Sequence, residues 1–176
     1  MRRAVFLDRD GVLNRAFVRE GKSYPPACLG EVEILPHVEL AINSLKAAGY
    51  LLIVITNQPD VATGKTSKLV VEQINKFLSD ALSIDDFRTC YHEDKDGCNC
   101  RKPRPGALLH ASRMHQIDLS KSFVVGDRWS DVEAGAAVGC KTFFINYGYQ
   151  EKQPSHPDFI VSSLAEAAKI IIGEFS

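Results

Sequence analysis

Residues 4–14, AVFLDRDGVLN, decide the fold of this chain. Four consecutive apolar residues, Ala4 to Leu7, predict a strand that is buried on both faces. The run ends at Asp8 and Asp10, which Gly11 follows. In α/β sheets ligands bind beyond the carboxyl ends of the strands, and two close carboxylates ionise together most readily around a cation. By itself the stretch fits equally well a catalytic cation site and a strand-ending Asp turn with a solvated second carboxylate; the motifs described below favour the catalytic cation site.

Outward from this stretch, apolar segments with strand and helix periods alternate along the chain. The predicted strands lie at 51–55, 87–91, 123–125, 142–145 and 159–161. The predicted helices lie at 38–48, 106–115, 131–138 and 164–172, and a further helix, second in chain order, begins at Thr66 or Ser67 and ends at residue 82. The second helix is expected to bury Leu69, Val70, Ile74, Phe77, Leu78 and Leu82. This alternation predicts a Rossmann-like α/β fold, in which a parallel sheet carries helices on both faces.

Length and composition bound the class of protein. The 176 residues are 45% hydrophobic and 24% charged, with a net charge of −1, which suits one globular domain over residues 1–176. The polar segment 15–29 is expected to form a flap over the site. The near-neutral charge argues against a nucleic-acid partner. The absence of a signal peptide or a long apolar run predicts a cytoplasmic protein without a membrane partner.

Polar side chains follow three of the predicted strands at the point where each strand ends. They are Asp8 and Asp10, Thr56 and Asn57, and Asp127 after Gly126, and a further segment adds Arg101 and Lys102. Parallel strands bring such ends to one edge of a sheet. Carboxylate oxygens suit Mg²⁺, and a hydroxyl, an amide and a lysine can bind phosphate oxygens. The set predicts a site for a phosphoryl group and Mg²⁺.

A second metal site is predicted near residues 90–100. Cys90, His92, Cys98 and Cys100 offer three thiolates and one imidazole in a short polar segment, and such a ligand set suits a tetrahedral structural Zn²⁺. The alternative is a group of free thiols beside a surface histidine. Of the five cysteines, Cys28 and Cys140 lack such neighbours, and Cys140 is expected to be a small buried residue.

These motifs together resemble a known family. Asp8-x-Asp10-Gly11-Val12-Leu13-Asn14, Thr56-Asn57-Gln58, Lys102-Pro103 and Gly126-Asp127-x-x-x-Asp131 are similar, in order and spacing, to the four motifs of the haloacid dehalogenase (HAD) superfamily of phosphatases. Cys90-x-His92 and Cys98-x-Cys100-Arg101-Lys102-Pro103 resemble the branch of histidinol-phosphate and D-glycero-D-manno-heptose 1,7-bisphosphate phosphatases, which lacks a large cap domain.

The resemblance implies a role for each motif residue. Asp8 is expected to be the nucleophile that forms an aspartyl phosphate, and Asp10 the general acid and then the general base. Thr56 and Lys102 are expected to hold the transferring oxygens. The expected Mg²⁺ ligands are Asp8, the backbone carbonyl of Asp10, and Asp127, and Asp131 is expected to orient Asp127 or a metal-bound water.

Substrate identity rests on fewer residues. Asn57, Arg101 and Arg128 are expected to bind substrate, the two arginines through a second phosphate; the alternative is solvated surface charge. Where the heptose phosphatases commonly carry Ser-Gly after Thr-Asn-Gln, this chain has Pro59 and Asp60, which leaves sugar and anomer open.

The predicted function is Mg²⁺-dependent removal of the 7-phosphate of a heptose 1,7-bisphosphate by a monomeric enzyme. Histidinol-phosphate phosphatase is the alternative within the class. A catalytically silent metal-bound regulatory module and a nucleic-acid 3′-phosphatase are alternatives outside it.

Overall fold

The computed structural model describes residues 1–175 and contains a six-stranded parallel sheet with helices on both faces, as predicted. The strands are β1 (Ala4–Leu7), β2 (Phe17–Arg19), β3 (Lys22–Tyr24), β4 (Leu51–Asn57), β5 (Asp86–Cys90), β6 (Phe123–Gly126), β7 (Lys141–Ile145) and β8 (Phe159–Val161). The helices are α1 (Val38–Ala47), α2 (Lys68–Leu82), α3 (Gly106–His115), α4 (Trp129–Ala136) and α5 (Leu164–Phe175). The strand order is β5-β4-β1-β6-β7-β8.

The first strand lies inside the sheet, which explains its unbroken apolar sequence. It pairs in parallel with β4 and β6, and all four of its residues are buried. Val5 and Leu7 pack in the core that includes side chains of α1, α2 and α5, whereas Ala4 and Phe6 pack with side chains of α3 and α4. Because successive strand residues point to opposite faces, one apolar run contributes to both cores.

The second helix departs from its predicted face. Ser67 caps it, as one of the two expected caps, through a hydrogen bond from the Val70 amide to Ser67 Oγ (3.2 Å). Leu69 and Phe77 are 63% and 41% exposed, and Val71 is buried instead. The buried face also includes Asn75, so apolar spacing alone selected the wrong residues at the edges of the stripe.

The segment predicted as a flap contains an antiparallel hairpin. β2 and β3 pair from Phe17–Tyr24 to Arg19–Lys22, and they form a separate two-stranded sheet. Its function as a flap and the single-domain organisation stay predictions. Across residues 1–175, the helices are too short or too polar to cross a bilayer.

Candidate active site and metal centres

Three carboxylates converge at the carboxyl edge of the sheet. Asp8 follows β1, Asp127 follows β6 and Asp131 lies in the first turn of α4; one oxygen of each lies within 4.8 Å of the others. All three side chains are buried. Asp127 Oδ1 has no hydrogen-bond partner among residues 1–175, and a buried unpartnered carboxylate oxygen is costly. This donor set therefore fits a hard divalent cation such as Mg²⁺.

Two glycines allow the carboxylates to come this close. A Cβ on Gly11 would lie 2.0 Å from Asp127 Oδ2, and Gly11 has φ +87°, which L side chains rarely adopt. A Cβ on Gly126 would lie 2.2 Å from the Cβ of Asp131. Gly11 is thus required by backbone geometry and by space, and Gly126 by space.

Lys102 supplies the positive charge inside this cluster. Its ammonium donates to Asp8 Oδ1 (2.9 Å) and to the carbonyl oxygen of Ile55 (2.6 Å), and lies 2.5 Å from Asp131 Oδ1. The Lys102 side chain is 5% exposed. Burial by itself lowers the pKa of Lys102, but the negative charges of Asp131 and Asp8 raise it above its ordinary value. Lys102 therefore stays protonated between the two carboxylates.

One cation does not balance three buried carboxylates, and the pKa values of two of these acids are raised. The pKa of Asp8 is raised to about 6, chiefly by burial; the charges of Asp131 and Asp10 also raise it, and the Lys102 charge opposes the rise. Burial, followed by the charges of Asp8 and Asp131, raises the pKa of Asp127 well above its ordinary value. A bound cation would relieve this excess of negative charge.

We expect the stability of the metal-free protein, relative to that of an Asp8→Asn variant, to fall as pH rises from 4 to 7. The unfolded chain releases the Asp8 proton near 3.8 and the folded chain near 6, so between these values the folded state holds more protons. The free energy of unfolding then falls with pH, by about 3 kcal/mol for a shift of roughly two pKa units. Urea unfolding of both proteins in chelator measures the difference, and a difference that stays constant over this range would contradict the prediction.

Asp10 lies beside this cluster in a separate hydrogen-bond environment. Asp10 Oδ1 accepts from Asn14 Nδ2 (3.0 Å) and Arg9 Nε (3.2 Å), and Oδ2 accepts from Gln58 Nε2 (2.8 Å) and Arg9 Nη2 (3.0 Å). Gln58 Nε2 also donates to Thr56 Oγ1 (2.9 Å). The two carboxylates of the first motif are therefore in different environments, which is what two different chemical roles require.

Asn57 contacts the backbone of Lys102 rather than extending freely into solvent. Its Nδ2 donates to the Lys102 carbonyl oxygen (3.0 Å), and its Oδ1 accepts from the Lys102 amide (3.1 Å). This paired contact joins the end of β4 to the segment that carries the buried ammonium. It gives Asn57 a structural contact that the sequence alone did not indicate.

A cavity of about 150 Å³ opens above these groups. Predicted site residues in its wall are Asp8, Asp10, Thr56, Asn57, Lys102 and Arg128, and the hairpin and adjacent turns add Ser23, Tyr24, Pro25, Pro59 and Asp60. A larger open groove, of about 850 Å³, is lined by a separate set of residues that includes Phe87 and Leu109. We place the site in the smaller cavity because Lys102 and two of the three clustered acids, Asp8 and Asp131, line it; Asp127 is not in its wall.

The two arginines predicted to bind substrate differ in position. Arg128 lines the cavity and pairs with Glu151, and the hydrogen bond to this partner raises the pKa of Arg128. Arg101 is not part of the cavity wall, and its Nε donates to Asp94 Oδ1 at 2.7 Å. Arg101 Nη1 is buried without a hydrogen-bond partner among residues 1–175. The structure thus brings one of the two arginines to the cavity.

The predicted cysteine and histidine ligands form a compact cluster. The Sγ atoms of Cys90, Cys98 and Cys100 lie 3.3–3.7 Å apart, and His92 Nδ1 lies 3.6 Å from Cys90 Sγ and 3.4 Å from Cys100 Sγ. A tetrahedral zinc site with Zn–S distances of about 2.3 Å has edges of roughly 3.8 Å between sulfurs. The four ligand atoms are therefore close to the spacing that a bound Zn²⁺ requires.

Several residues at the site were not identified from the sequence. Arg9 is fully buried although it lies between two acids. Gln58 is buried against Asp10 and Thr56, and Tyr149 donates from its phenol to Asp127 Oδ2 (2.8 Å). Arg9 could have been found from the sequence, because a charged residue at the end of an apolar strand is unusual. Tyr149 could not, because it lies about two dozen residues after the last strand-ending motif and belongs to no sequence motif.

Comparisons with known proteins agree with the fold and the motifs. The HAD-hydrolase-like family model matches residues 99–167. The chain is 38% identical to the D-glycero-beta-D-manno-heptose-1,7-bisphosphate 7-phosphatase of Rhodopseudomonas palustris, over 81% of this chain and 82% of the relative. The identity to the enzyme of the same name from Pasteurella multocida is 32% over 98% of each chain.

A solved structure shows the same fold over nearly the whole chain. The D,D-heptose 1,7-bisphosphate phosphatase from B. bronchiseptica, complexed with magnesium and phosphate, has a TM-score of 0.81 and 27% sequence identity. The comparison covers 98% of this chain and 99% of the other.

Proposed function

Because the chain belongs to the HAD-like phosphatase family that includes the D-glycero-beta-D-manno-heptose-1,7-bisphosphate 7-phosphatases, we propose that it removes the 7-phosphate of a D-glycero-D-manno-heptose 1,7-bisphosphate. The observation that carries the proposal is the convergence of Asp8, Asp127 and Asp131 beneath a small cavity, with Lys102 paired to Asp8 and Asp131. Such a site concentrates charge where a phosphoryl group would react.

The first step would transfer the phosphoryl group to Asp8. A carboxylate oxygen of Asp8 attacks phosphorus in line, and the bond from phosphorus to the sugar oxygen breaks. The proton on the Asp10 carboxyl passes to that departing oxygen, so the sugar leaves as an alcohol. Lys102 and Thr56 hold the transferring oxygens while charge spreads over them.

The second step would return the enzyme to its starting state. A water oxygen forms a bond to phosphorus, the bond between phosphorus and Asp8 breaks, and Asp10 takes the proton that the water gives up. Inorganic phosphate then leaves. Asn57 contributes by holding the backbone of Lys102 through its two hydrogen bonds.

Mg²⁺ would be held by Asp8, Asp127 and the backbone carbonyl of Asp10, with Asp131 beside them, and the unpartnered Asp127 Oδ1 supports this assignment. Bound there, it would screen the attacking carboxylate from the negative charge of the phosphate. The named structural relative contains magnesium. Arg128, in the cavity wall, would bind the second phosphate of the substrate, whereas Arg101 pairs with Asp94 outside that wall.

The substrate test compares kcat/KM for the heptose bisphosphate with that for histidinol phosphate, with Asp8→Asn protein as the background control. We expect the heptose ester to be preferred. A tenfold preference for histidinol phosphate, equivalent to about 1.4 kcal/mol, would overturn this assignment. Failure to release phosphate from any ester in a broad panel that includes these two would support the silent regulatory module.

We expect Zn²⁺ at the second centre, in a ratio of one ion per chain by elemental analysis. Cys98→Ser removes one of four ligands and should lower zinc affinity by about tenfold or more, with loss of the ordered loop. The exposed Cys28 lies outside the cluster, so Cys28→Ser should keep its zinc. A metal-free preparation that is folded and fully active would show that the cluster is not a structural zinc site.

A monomeric state and a cytoplasmic location also remain part of the proposal. The named relatives are phosphatases with closely similar chain lengths, and they support an enzyme that acts on a small phosphorylated sugar. Gel filtration with light scattering would test whether the protein is monomeric in solution.

A further inference from the structure

Arg9 is a buried cation that has no role in the two-step scheme. Its side chain is fully buried, and burying a guanidinium is costly unless its donors are paired. Nε and Nη2 donate to the two oxygens of Asp10 (3.2 and 3.0 Å), and Nη1 donates to Asn75 Oδ1 (2.9 Å). The guanidinium thus joins the carboxylate of Asp10 to an amide on a distant helix.

Asn75 is itself held in place from the edge of the sheet. It lies on the buried face of α2, and its Nδ2 donates to Thr89 Oγ1 on β5 at 3.0 Å. The amide orientation is therefore set by two contacts, with Arg9 on its oxygen and Thr89 on its nitrogen. The resulting chain runs from Thr89 through Asn75 and Arg9 to Asp10.

The geometry at Asp10 shows why such an anchor matters. Both carboxylate oxygens accept from Arg9 in a two-point contact, which fixes the plane of the carboxylate as well as its position. Asn14 and Gln58 each add one donor. Because Arg9 is adjacent to Asp10 in the chain, its own direction must be set from elsewhere, and Asn75 provides that contact.

We propose that Arg9, anchored by Asn75, is a positioning residue that orients the Asp10 carboxyl for proton transfer to the departing oxygen of the substrate. The proposal rests on the proposed function, in which Asp10 gives its proton to that oxygen as the phosphorus–oxygen bond breaks. Arg9 transfers no proton and touches no substrate atom; it sets the angle from which the proton is delivered.

The test compares kcat/KM for two esters, since this parameter reports the steps up to the departure of the first leaving group. A heptose phosphate leaves as an alkoxide and needs the proton, whereas p-nitrophenyl phosphate releases a stable phenolate without one. We expect Asn75→Leu to lower kcat/KM for the heptose ester about tenfold and Arg9→Met about 100-fold. For p-nitrophenyl phosphate we expect less than about a threefold loss from either variant.

The matched control is Val71→Ala, a cavity-forming change in the same helix whose side chain is buried in α2 but lies outside the hydrogen-bonded chain. It should lower the thermal stability of the protein and leave the ratio of the kcat/KM values for the two esters unchanged. Asp10→Asn should show the largest selective loss on the heptose ester. The positioning role would be overturned if Arg9→Met and Asn75→Leu lowered kcat/KM equally for the two esters while Asp10→Asn lowered it selectively for the heptose ester. The proposed function would then remain intact. If Asp10→Asn itself shows no selectivity, the general-acid assignment fails, and the role of Arg9 fails with it.

Discussion

Asp8→Asn is expected to lower kcat by on the order of 10⁴-fold or more, since the change removes the oxygen that would bond to phosphorus. An amide oxygen is a poor nucleophile, and we expect the remaining acids not to replace it because Asp127 follows β6 and Asp131 lies in α4, away from the end of β1. Steady-state release of phosphate from the heptose ester, in saturating Mg²⁺, measures the loss.

The same variant should be more stable than the parent protein when metal is removed. Asp8 lies among buried carboxylates that exceed the single ammonium of Lys102, so neutralising it relieves repulsion at neutral pH. Asp118→Asn is the control and should keep its activity, because Asp118 is only half-buried and belongs neither to the carboxylate cluster nor to the cavity wall. An Asp8→Asn protein that is folded and retains a tenth of parental turnover would exclude Asp8 as the nucleophile.

Lys102→Met is expected to cause the largest combined loss of stability and activity. Removal of one partner of a buried ion pair costs about 3–5 kcal/mol because it leaves an uncompensated charge, and here it leaves Asp8 and Asp131 without their shared cation. The loss of a charged contact to the transferring oxygens should lower kcat by about 10²- to 10³-fold. Chemical denaturation and steady-state kinetics measure the two effects.

The stability loss in Lys102→Met should become smaller below pH 6, because the Asp8 carboxyl, whose pKa is about 6 even beside Lys102, is then protonated. Lys76→Met is the matched control: Lys76 pairs with Asp80 at 2.8 Å on the exposed surface, where such a pair contributes less than about 1 kcal/mol. Similar losses from the two variants at pH 7 would show that Lys102 is not a buried counter-charge.

The fold was predictable because its strongest signals are local. The unbroken apolar run of β1, the period of α3 and the position of β8 all match the structure. Polar residues at strand ends predicted which side chains would meet, since a parallel sheet brings those ends to one edge. Asp8, Thr56, Asn57 and Lys102 accordingly lie around one cavity.

The contacts between distant elements were not predictable in this way. Arg9 and Asn75 are separated by 66 positions, and no periodicity relates them. Tyr149 reaches Asp127 across 22 positions from a loop. Arg101 adjoins Lys102 in sequence, but it pairs with Asp94 instead of lining the cavity, because neighbouring residues in an irregular segment need not face the same way.

The Asp10→Asn variant tests most directly whether phosphorus becomes bonded to Asp8 during turnover. With p-nitrophenyl phosphate this variant should still transfer the phosphoryl group, but it lacks the base that activates water, so the intermediate should accumulate. After acid quench, mass spectrometry should find one added phosphoryl group. Borohydride should reduce the acyl phosphate at residue 8 and so identify the modified residue. A stoichiometric burst of nitrophenolate that leaves residue 8 unmodified would contradict the account.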